Sequence, residues 1–413
     1  MSAARPSTSG RKRRLDAAAI CAPGLEELCA AELTALGCKP KPSGPGVVDF
    51  GANARQLYGA NVWLRTASRV VVRVATFRAT DFAHLQEHAS AIDWSSWVPT
   101  GHAPRFRVST NASKLYHTKA VAQRLHQVSL PPSIGEPEQL FVVRIERNTV
   151  TISADASGEA LHRRPWRADT GPAPLRPNLA AAMILAAGWD PTSDLVDPFC
   201  GAGTIGIEAA LLAAGLPPGG ERPFAFHDWP TFEPGSWASV VASIEASVDR
   251  AARDGRGTIL LADRDQAAVD ATEANAGRAG VADRVEVVRQ VVSHLGARSG
   301  PGLAITNPPY GKRLGRDELG RLYARLGAVA RERLPDHDLA VLTTDAGLAR
   351  TADGRLRGRL RFRNGGLGVQ LFHRPASGPV RADPGEPVAD VPVGSDGPGT
   401  AAGVAVERSA DAG

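Results

Sequence analysis

Leu195-Val196-Asp197-Pro198-Phe199-Cys200-Gly201-Ala202-Gly203-Thr204-Ile205-Gly206 is the stretch whose reading decides the fold. An apolar pair runs into a glycine-rich turn, and the helix-like residues Ile205 to Leu212 follow. Glycines where a strand turns tightly into a helix let backbone come close to a ligand. Far downstream, the short apolar run Leu303-Ala304-Ile305-Thr306 leads into Asn307-Pro308-Pro309-Tyr310-Gly311. Both motifs therefore fall at the C-terminal ends of strands, where open α/β sheets bind ligands, and they are expected to meet across one crevice. Strand and helix patterns alternate after Leu195, predicting a doubly wound parallel sheet. Its strands are expected at Asp194 to Val196, Thr258 to Ala262, Val285 to Val288, Leu303 to Thr306 and Ala340 to Thr343.

A chain of 413 residues is long enough for two or three domains. Its apolar fraction of 43% and charged fraction of 22% suit a water-soluble protein, and no run approaches the roughly 20 apolar residues of a membrane span. No membrane anchor is expected. Arg5, Arg11, Lys12, Arg13 and Arg14 precede no apolar stretch, so the beginning does not read as a secretory signal. Cys21, Cys29, Cys38 and Cys200 show neither CxxC pairing nor clustered histidines; no metal site and no disulfide framework are expected, and a reducing cytoplasm fits. The 48 basic residues exceed the 43 acidic ones, for a net charge of +5 that suits a polyanionic partner without demanding one.

Residues 1–14 are Ser/Arg-rich and 376–413 Gly/Pro/Ala/Asp-rich, and both read as disordered tails. Between Ala17 and Ala154 helices alternate with short strands, as in a small α+β domain. Helices are expected over Leu25 to Leu36 and Ser113 to Val128. Strands are expected at Val70 to Thr76, Phe106 to Ser109, Leu140 to Ile145 and Val150 to Ile152. An Arg/Pro-rich connector then runs from Leu161 to Arg176, into a helix over Leu179 to Ala187.

Gly201-Ala202-Gly203-Thr204-Ile205-Gly206 satisfies GxGxxG, a weak match by itself. A nicotinamide-binding strand is followed by an acidic residue about 20 positions on. Here the next convincing strand ends at Asp263, beyond a long insertion containing Phe224, Phe226, Trp229 and Trp237. Asp197-Pro198 and Glu208 instead suit S-adenosylmethionine, a donor whose charged part is its methionine end. The helix N-terminus near Thr204 offers N–H groups to the methionine carboxylate, and Asp197 can hold the ammonium. Phe199, Cys200, Gly201 and Gly203 complete the candidate loop. Asp263 is placed for the ribose hydroxyls, with Asp265 as competitor; the plainer alternative is that both cap the helix Gln266 to Arg278.

The second motif suits a planar exocyclic amine, whose lone pair is delocalised into its ring. The Asn307 side-chain oxygen and the carbonyl of Pro308, held by the stiff Pro308-Pro309 pair, can accept both amine hydrogens and localise that lone pair. Tyr310 supplies a face on which an extruded base stacks. As an isolated tetrapeptide Asn-Pro-Pro-Tyr would be an ordinary turn. Its place after a buried-looking strand, on the donor loop's sheet, favours the functional reading.

These motifs, with Leu161-His162-Arg163-Arg164-Pro165-Trp166-Arg167 and Thr170-Gly171-Pro172-Ala173-Pro174-Leu175, resemble the THUMP-containing RNA guanine-N2 methyltransferases. Ala22-Pro23-Gly24-Leu25-Glu26-Glu27-Leu28, Trp63-Leu64-Arg65-Thr66-Ala67-Ser68-Arg69-Val70 and Arg363-Asn364-Gly365 share that likeness. It extends from about Cys21 to about His373 and is strongest to the N-terminal methyltransferase half of the bacterial bifunctional large-subunit rRNA enzymes. The resemblance implies an α/β chain in which a Rossmann-like class I methyltransferase domain is preceded by a smaller α+β ferredoxin-like/THUMP RNA-binding module. The implied layout is a ferredoxin-like segment at 15–69, a THUMP domain at 70–155, a connector at 156–190 and the methyltransferase domain at 191–375. It also implies S-adenosylmethionine as cofactor, RNA (rRNA or tRNA) as partner and N2-methylguanosine as product. After its third strand the family has an acidic residue near the adenine; here Gln290 or Ser293 stands at that place.

Arg163, Arg164 and Arg167, interleaved with His162 and Trp166, suit phosphate and base contacts on the connector. Lys312 and Arg313, just after the acceptor motif, and Lys114 in the small domain are further candidates for RNA. Arg355, Arg357, Arg359, Arg361 and Arg363 alternate with Leu356, Gly358, Leu360 and Phe362, predicting a charged face on an edge strand. The reading is thus an RNA methyltransferase forming N2-methylguanosine in large-subunit rRNA. The alternatives are a tRNA substrate, a DNA amino-methyltransferase and a non-catalytic RNA-binding assembly factor.

Overall fold

The computed structural model describes residues 14–129, 137–168, 175–220, 222–254, 257–310 and 315–376. The tails expected to be disordered lie outside the described residues, apart from Arg14 and Ala376.

Alternation of small apolar residues makes β1 (Leu15–Cys21) a central strand, with Ala17, Ala19 and Cys21 buried. It is followed by α1 (Glu26–Ala35), β2 (Pro40–Gly44), β3 (Val47–Ala52) and α2 (Ala54–Trp63). Asn53 opens α2 with a reciprocal cap: its side chain takes the Gln56 N–H, and the Gln56 side chain takes its own. Then come β4 (Ala67–Arg78), α3 (Phe82–Ser90), β5 (Ala103–Asn111), α4 (Thr118–Val128), β6 (Glu138–Glu146) and β7 (Thr149–Asp155). These strands form one sheet in the order β2-β3-β1-β4-β7-β6-β5. The boundary expected between residues 69 and 70 falls inside β4, which pairs with β1 on one side and β7 on the other. Helix α4 begins at Thr118, five residues later than its pattern suggests. Asn148 Oδ1 accepts from Lys114 N at 2.8 Å and Ser113 Oγ accepts from Asn148 N at 3.0 Å. Side chains thereby hold the segment in a loop.

The second sheet is introduced by α5 (Pro177–Ala187), with Pro177 in its first turn and Gly188 ending it at φ 66°. There follow β8 (Asp194–Asp197), α6 (Thr204–Ala213), α7 (Pro234–Arg253), β9 (Ile259–Asp263), α8 (Gln266–Arg278), β10 (Val285–Arg289) and β11 (Gly302–Thr306). The chain continues through α9 (Arg316–Arg333), β12 (His337–Thr343), α10 (Ala346–Ala352), β13 (Arg357–Asn364) and β14 (Leu367–Arg374). Strand order is β10-β9-β8-β11-β12-β14-β13, parallel through β12, with β14 antiparallel to its neighbours. The order reverses between β8 and β11, and the crevice outside the C-terminal ends of such strands is where this architecture binds ligands.

Both faces of this sheet are covered, which explains its near-continuous apolar strands. Leu195, Leu261, Leu303 and Ile305 enter a core shared with the first sheet, while Val196, Leu260, Ala304 and Val341 pack with Tyr323 and Leu326 of α9. The aromatic insertion between α6 and β9 joins the two sheets. Phe226 stacks on Tyr58 of α2 at 4.3 Å, Trp229 meets Trp97 edge-on at 5.2 Å, and Trp229 Nε1 donates to Gln139 Oε1 of β6 at 2.8 Å.

The arginine row forms the expected edge strand, β13, with Phe362 buried and Arg357, Arg361 and Arg363 exposed. The strict single-face row does not hold. The register shifts between Gly358 and Leu360, and Arg359 in that bulge donates to the carbonyl of Ala186 at 3.1 Å. Among the described residues no helix is long and apolar enough to cross a membrane.

Phe226 is fully buried among Tyr58, Phe224, His227, Phe232 and Trp237. Phe226→Ala is expected to cost about 3–5 kcal/mol of unfolding free energy in a denaturant titration. A loss below about 1 kcal/mol would contradict the insertion's role in joining the sheets.

Candidate active site

The glycine-rich turn folds between β8 and α6 as its residue types require. Gly201 and Gly203 adopt left-handed φ values of 55° and 76°. A Cβ on Gly203 would lie 2.6 Å from Thr272 Cγ2 of α8, and one on Gly206 would lie 2.1 Å from Leu261 Cδ2 of β9, so glycine at both positions lets α6 pack closely on these neighbours. At Gly201 the same position faces open space. The turn is clamped from α8, where Thr272 Oγ1 donates to the Gly201 carbonyl at 2.8 Å and Asn275 Nδ2 to that of Ala202 at 3.0 Å.

Two carboxylates frame the loop. Asp197, ending β8, is buried; its Oδ1 accepts from Phe199 N at 3.1 Å and from Thr306 Oγ1 at 2.7 Å. Burial pushes its pKa up to about 7, against those hydrogen bonds and with help from the nearby charge of Asp263. Asp263, ending β9, accepts from Gly201 N at 3.1 Å and from Asp265 N at 3.0 Å. Each of its oxygens keeps further lone-pair capacity. Asp265, by contrast, is the N-cap of α8 and accepts from Ala267 N at 3.1 Å; the capping alternative describes this residue.

Thr204 is the first residue of α6, whose N-cap Gly203 brings no side chain to the helix end. Phe199 packs partly buried against the α9 side of the sheet. Cys200 turns inward, its N–H donating to the Ala262 carbonyl at 3.0 Å, and burial pushes its thiol pKa up. Beyond β10, the Gln290 side chain donates to the carbonyl of His294.

On the neighbouring strand, Thr306 carries the chain directly into the acceptor motif. Asn307 Oδ1 is buried and has no hydrogen-bond partner among the described residues. Leaving a buried acceptor unsatisfied costs about 1–3 kcal/mol, and such orphans call for an explanation. Pro308 is buried and Pro309 exposed. Tyr310 is half-buried against the shared core, and its hydroxyl accepts from Asn364 Nδ2 at 3.5 Å. Asn364 lies in the family-like run Arg363-Asn364-Gly365, whereas Thr306, Thr272 and Asn275 carry no motif of their own. The one sequence signal was the polar pair at i and i+3 on the alanine-rich α8.

The connector residues diverge sharply. Arg163 is exposed. Arg164, expected to contact RNA, is instead buried: its Nε donates to Glu208 Oε1 of α6 at 2.9 Å, its NH1 to the Leu161 carbonyl at 2.6 Å and its NH2 to that of Arg65 at 2.9 Å. A guanidinium with its donors so committed cannot grip a phosphate. Arg167 is half-buried, with Nε and one terminal nitrogen lacking a partner among the described residues. His162 Nδ1 is likewise orphaned; burial, and then the charges of Arg176, Arg164 and Arg163, lower its pKa to about 4. Lys114 is exposed on the loop before α4. Lys312 and Arg313 lie outside the described residues.

Residues 164–371 match the RMKL-like methyltransferase domain, and residues 16–71 match the RlmL ferredoxin-like domain. The chain belongs to the RMKL-like methyltransferase family. YpsC of Bacillus subtilis, provisionally named an RNA methyltransferase, is 33% identical over 78% of this chain and 86% of its own length. The ribosomal RNA large subunit methyltransferase K/L of Syntrophotalea carbinolica is 34% identical over 85% of this chain, which spans about half (52%) of that longer protein. Among solved structures, SMU.472, provisionally called a methyltransferase and determined in complex with SAH, superposes with a TM-score of 0.79 at 28% identity, covering 90% of this chain and all (100%) of that one. The fold is therefore a methyltransferase domain behind a small ferredoxin-like domain, and the donor is S-adenosylmethionine. Carboxylates ending adjacent strands and a glycine turn open at Gly201 are features that fit such a donor.

Because the folded protein favours neutral Asp197, that residue's contribution to stability is full below about pH 4 and is lost as pH rises towards and through about 7. Asp197→Asn removes the loss. Denaturant titrations at pH 5 and pH 8 are expected to show the variant gaining stability relative to wild type at the higher pH; a pH-independent difference would contradict the burial of this carboxyl.

Proposed function

We propose that this chain transfers a methyl group from S-adenosylmethionine to the exocyclic N2 amine of a guanosine in large-subunit ribosomal RNA. The observation that carries the reading is the buried Asn307 Oδ1, an acceptor without a donor among the described residues, at the end of the strand beside the glycine turn. An exocyclic amine offers the missing donor. When bound, S-adenosylmethionine supplies an electrophilic methyl group on a sulfonium.

Asn307 Oδ1 accepts one amine N–H, and the carbonyl of Pro308 accepts the other, drawing the nitrogen lone pair out of conjugation and fixing its direction. Tyr310, its hydroxyl tethered by Asn364, gives the base a face to stack on. Asp197 holds the methionine ammonium, and that positive charge favours the ionised carboxylate which burial alone disfavours. Asp263 accepts the ribose hydroxyls while Gly201 N and Asp265 N hold it in place. Thr204 brings the positive end of α6 towards the methionine carboxylate. Phe199, Cys200, Gly201 and Gly203 shape the loop between them. No base is required before transfer, since the attacking nitrogen is already neutral; as the N–C bond forms the methyl–sulfur bond breaks with its electron pair going to sulfur, and the alkylated amine then gives up one N–H proton to water.

RNA is the acceptor that best suits the chain's basic excess and the names borne by its relatives. The exposed Arg163 and Lys114, with His162 and Arg167 on the connector, are the phosphate and base contacts proposed here, and Arg164 is not among them. The test offers unmodified large-subunit rRNA and tRNA to wild type and to Asn307→Ala. Wild type is expected to methylate the rRNA, and the variant to lose about 100-fold or more in turnover with donor affinity unchanged. Undiminished turnover in the variant would remove Asn307 from the chemistry, and transfer to tRNA alone would replace the substrate.

A further inference from the structure

The hairpin of β13 and β14 closes through Gly365 and Gly366, both at left-handed φ (56° and 86°), with Asn364 paired directly to Leu367. Directly opposed residues on antiparallel strands project from the same face. The pairs on this face are Leu360 with Leu371, Phe362 with Val369, and finally Asn364 with Leu367. The first two pack into the shared core, with Phe362, Val369 and Leu371 buried. The third runs past it: Leu367 is 53% exposed, although it continues an apolar face. A lone exposed leucine needs no explanation. This one is placed by its partner, because Asn364 Nδ2 reaches the hydroxyl of Tyr310 at 3.5 Å, so the same face of the hairpin tip borders the acceptor motif. The tip is also braced, with an Arg363 guanidinium nitrogen donating to the Gly366 carbonyl at 2.9 Å.

We propose that Leu367 is an apolar wall of the acceptor pocket, packing against the nucleobase whose amine Asn307 receives. The proposal rests on the functional reading above and extends it to a substrate-contacting residue on a different element. A purine ring suits the position: apolar faces need apolar or aromatic cover, while its polar edge is left for Asn307 and Pro308. Packing there stabilises the bound base without touching the donor, so the effect of substitution falls on the RNA and spares S-adenosylmethionine.

The test measures kcat/KM for RNA, the donor Kd and Tm for wild type, Leu367→Ala, Leu367→Asp and Leu367→Met. The expected result is a loss of about tenfold or more in kcat/KM for RNA in the Ala and Asp variants, near-recovery in the Met variant, and unchanged donor Kd and Tm throughout. Wild-type kcat/KM in the Asp variant would overturn the proposal. So would a parallel fall in donor affinity or Tm, which would mark a structural role. Wild-type protein that methylates no RNA would overturn the functional reading itself, and with it this extension.

Discussion

The hydrogen bond from Thr306 to Asp197 joins the end of β11 to the end of β8 at the point where the sheet's strand order reverses. The glycine turn after β8 and the Asn-Pro-Pro-Tyr motif after β11 both adjoin that contact. It is made by a carboxyl stripped of water, so it depends on apolar burial on both faces of the sheet. The residue before Asp197 is a core valine, and the residue after Thr306 is the acceptor-motif asparagine. The parallel register of β8 with β11 thus sets the spacing between the ends of the two strands, and with it that between the glycine turn and Asn307.

A second buried contact connects this site to the rest of the chain. Glu208, one turn into α6, receives Arg164 of the connector at 2.9 Å and lies 3.9 Å from Arg65 at the head of β4. Burial lowers the pKa of Arg65, with Glu208 opposing that shift. Glu32 of α1 accepts from the backbone of Arg65 and Thr66. A buried ion pair of this kind contributes little net stability, yet losing one partner strands a charge. Its consequence is geometric: the small domain, the connector and the helix behind the donor loop share one polar junction, reinforced by the aromatic insertion on Tyr58 and Trp97.

Where residues are bound by short-range rules, the sequence was legible. The glycine turn, the apolar strands of the parallel sheet and α8 over Gln266–Arg278 follow from periodicity and turn chemistry, and they appear where expected within a residue or a few. Long-range pairing was not legible. Arg163 and Arg164 are chemically identical neighbours, and distant partners of Arg164, a glutamate 44 residues away and the carbonyl of Arg65, accompany the burial of one while the other is exposed. Asp263 and Asp265 are likewise alike in sequence and separated by helix capping. The start of α4 was missed because Asn148, across a hairpin, competes for its backbone. The insertion's aromatics were visible, but their partner Tyr58 belongs to another domain.

The central claim is that the acceptor geometry around Asn307 receives the N2 amine of a guanosine in RNA. The most direct test is to incubate the protein with labelled S-adenosylmethionine and unmodified large-subunit rRNA, digest the RNA to nucleosides and identify the labelled one by mass spectrometry. N2-methylguanosine is the predicted product. A label on the N6 of adenosine, on a ring nitrogen or on a ribose would contradict the account.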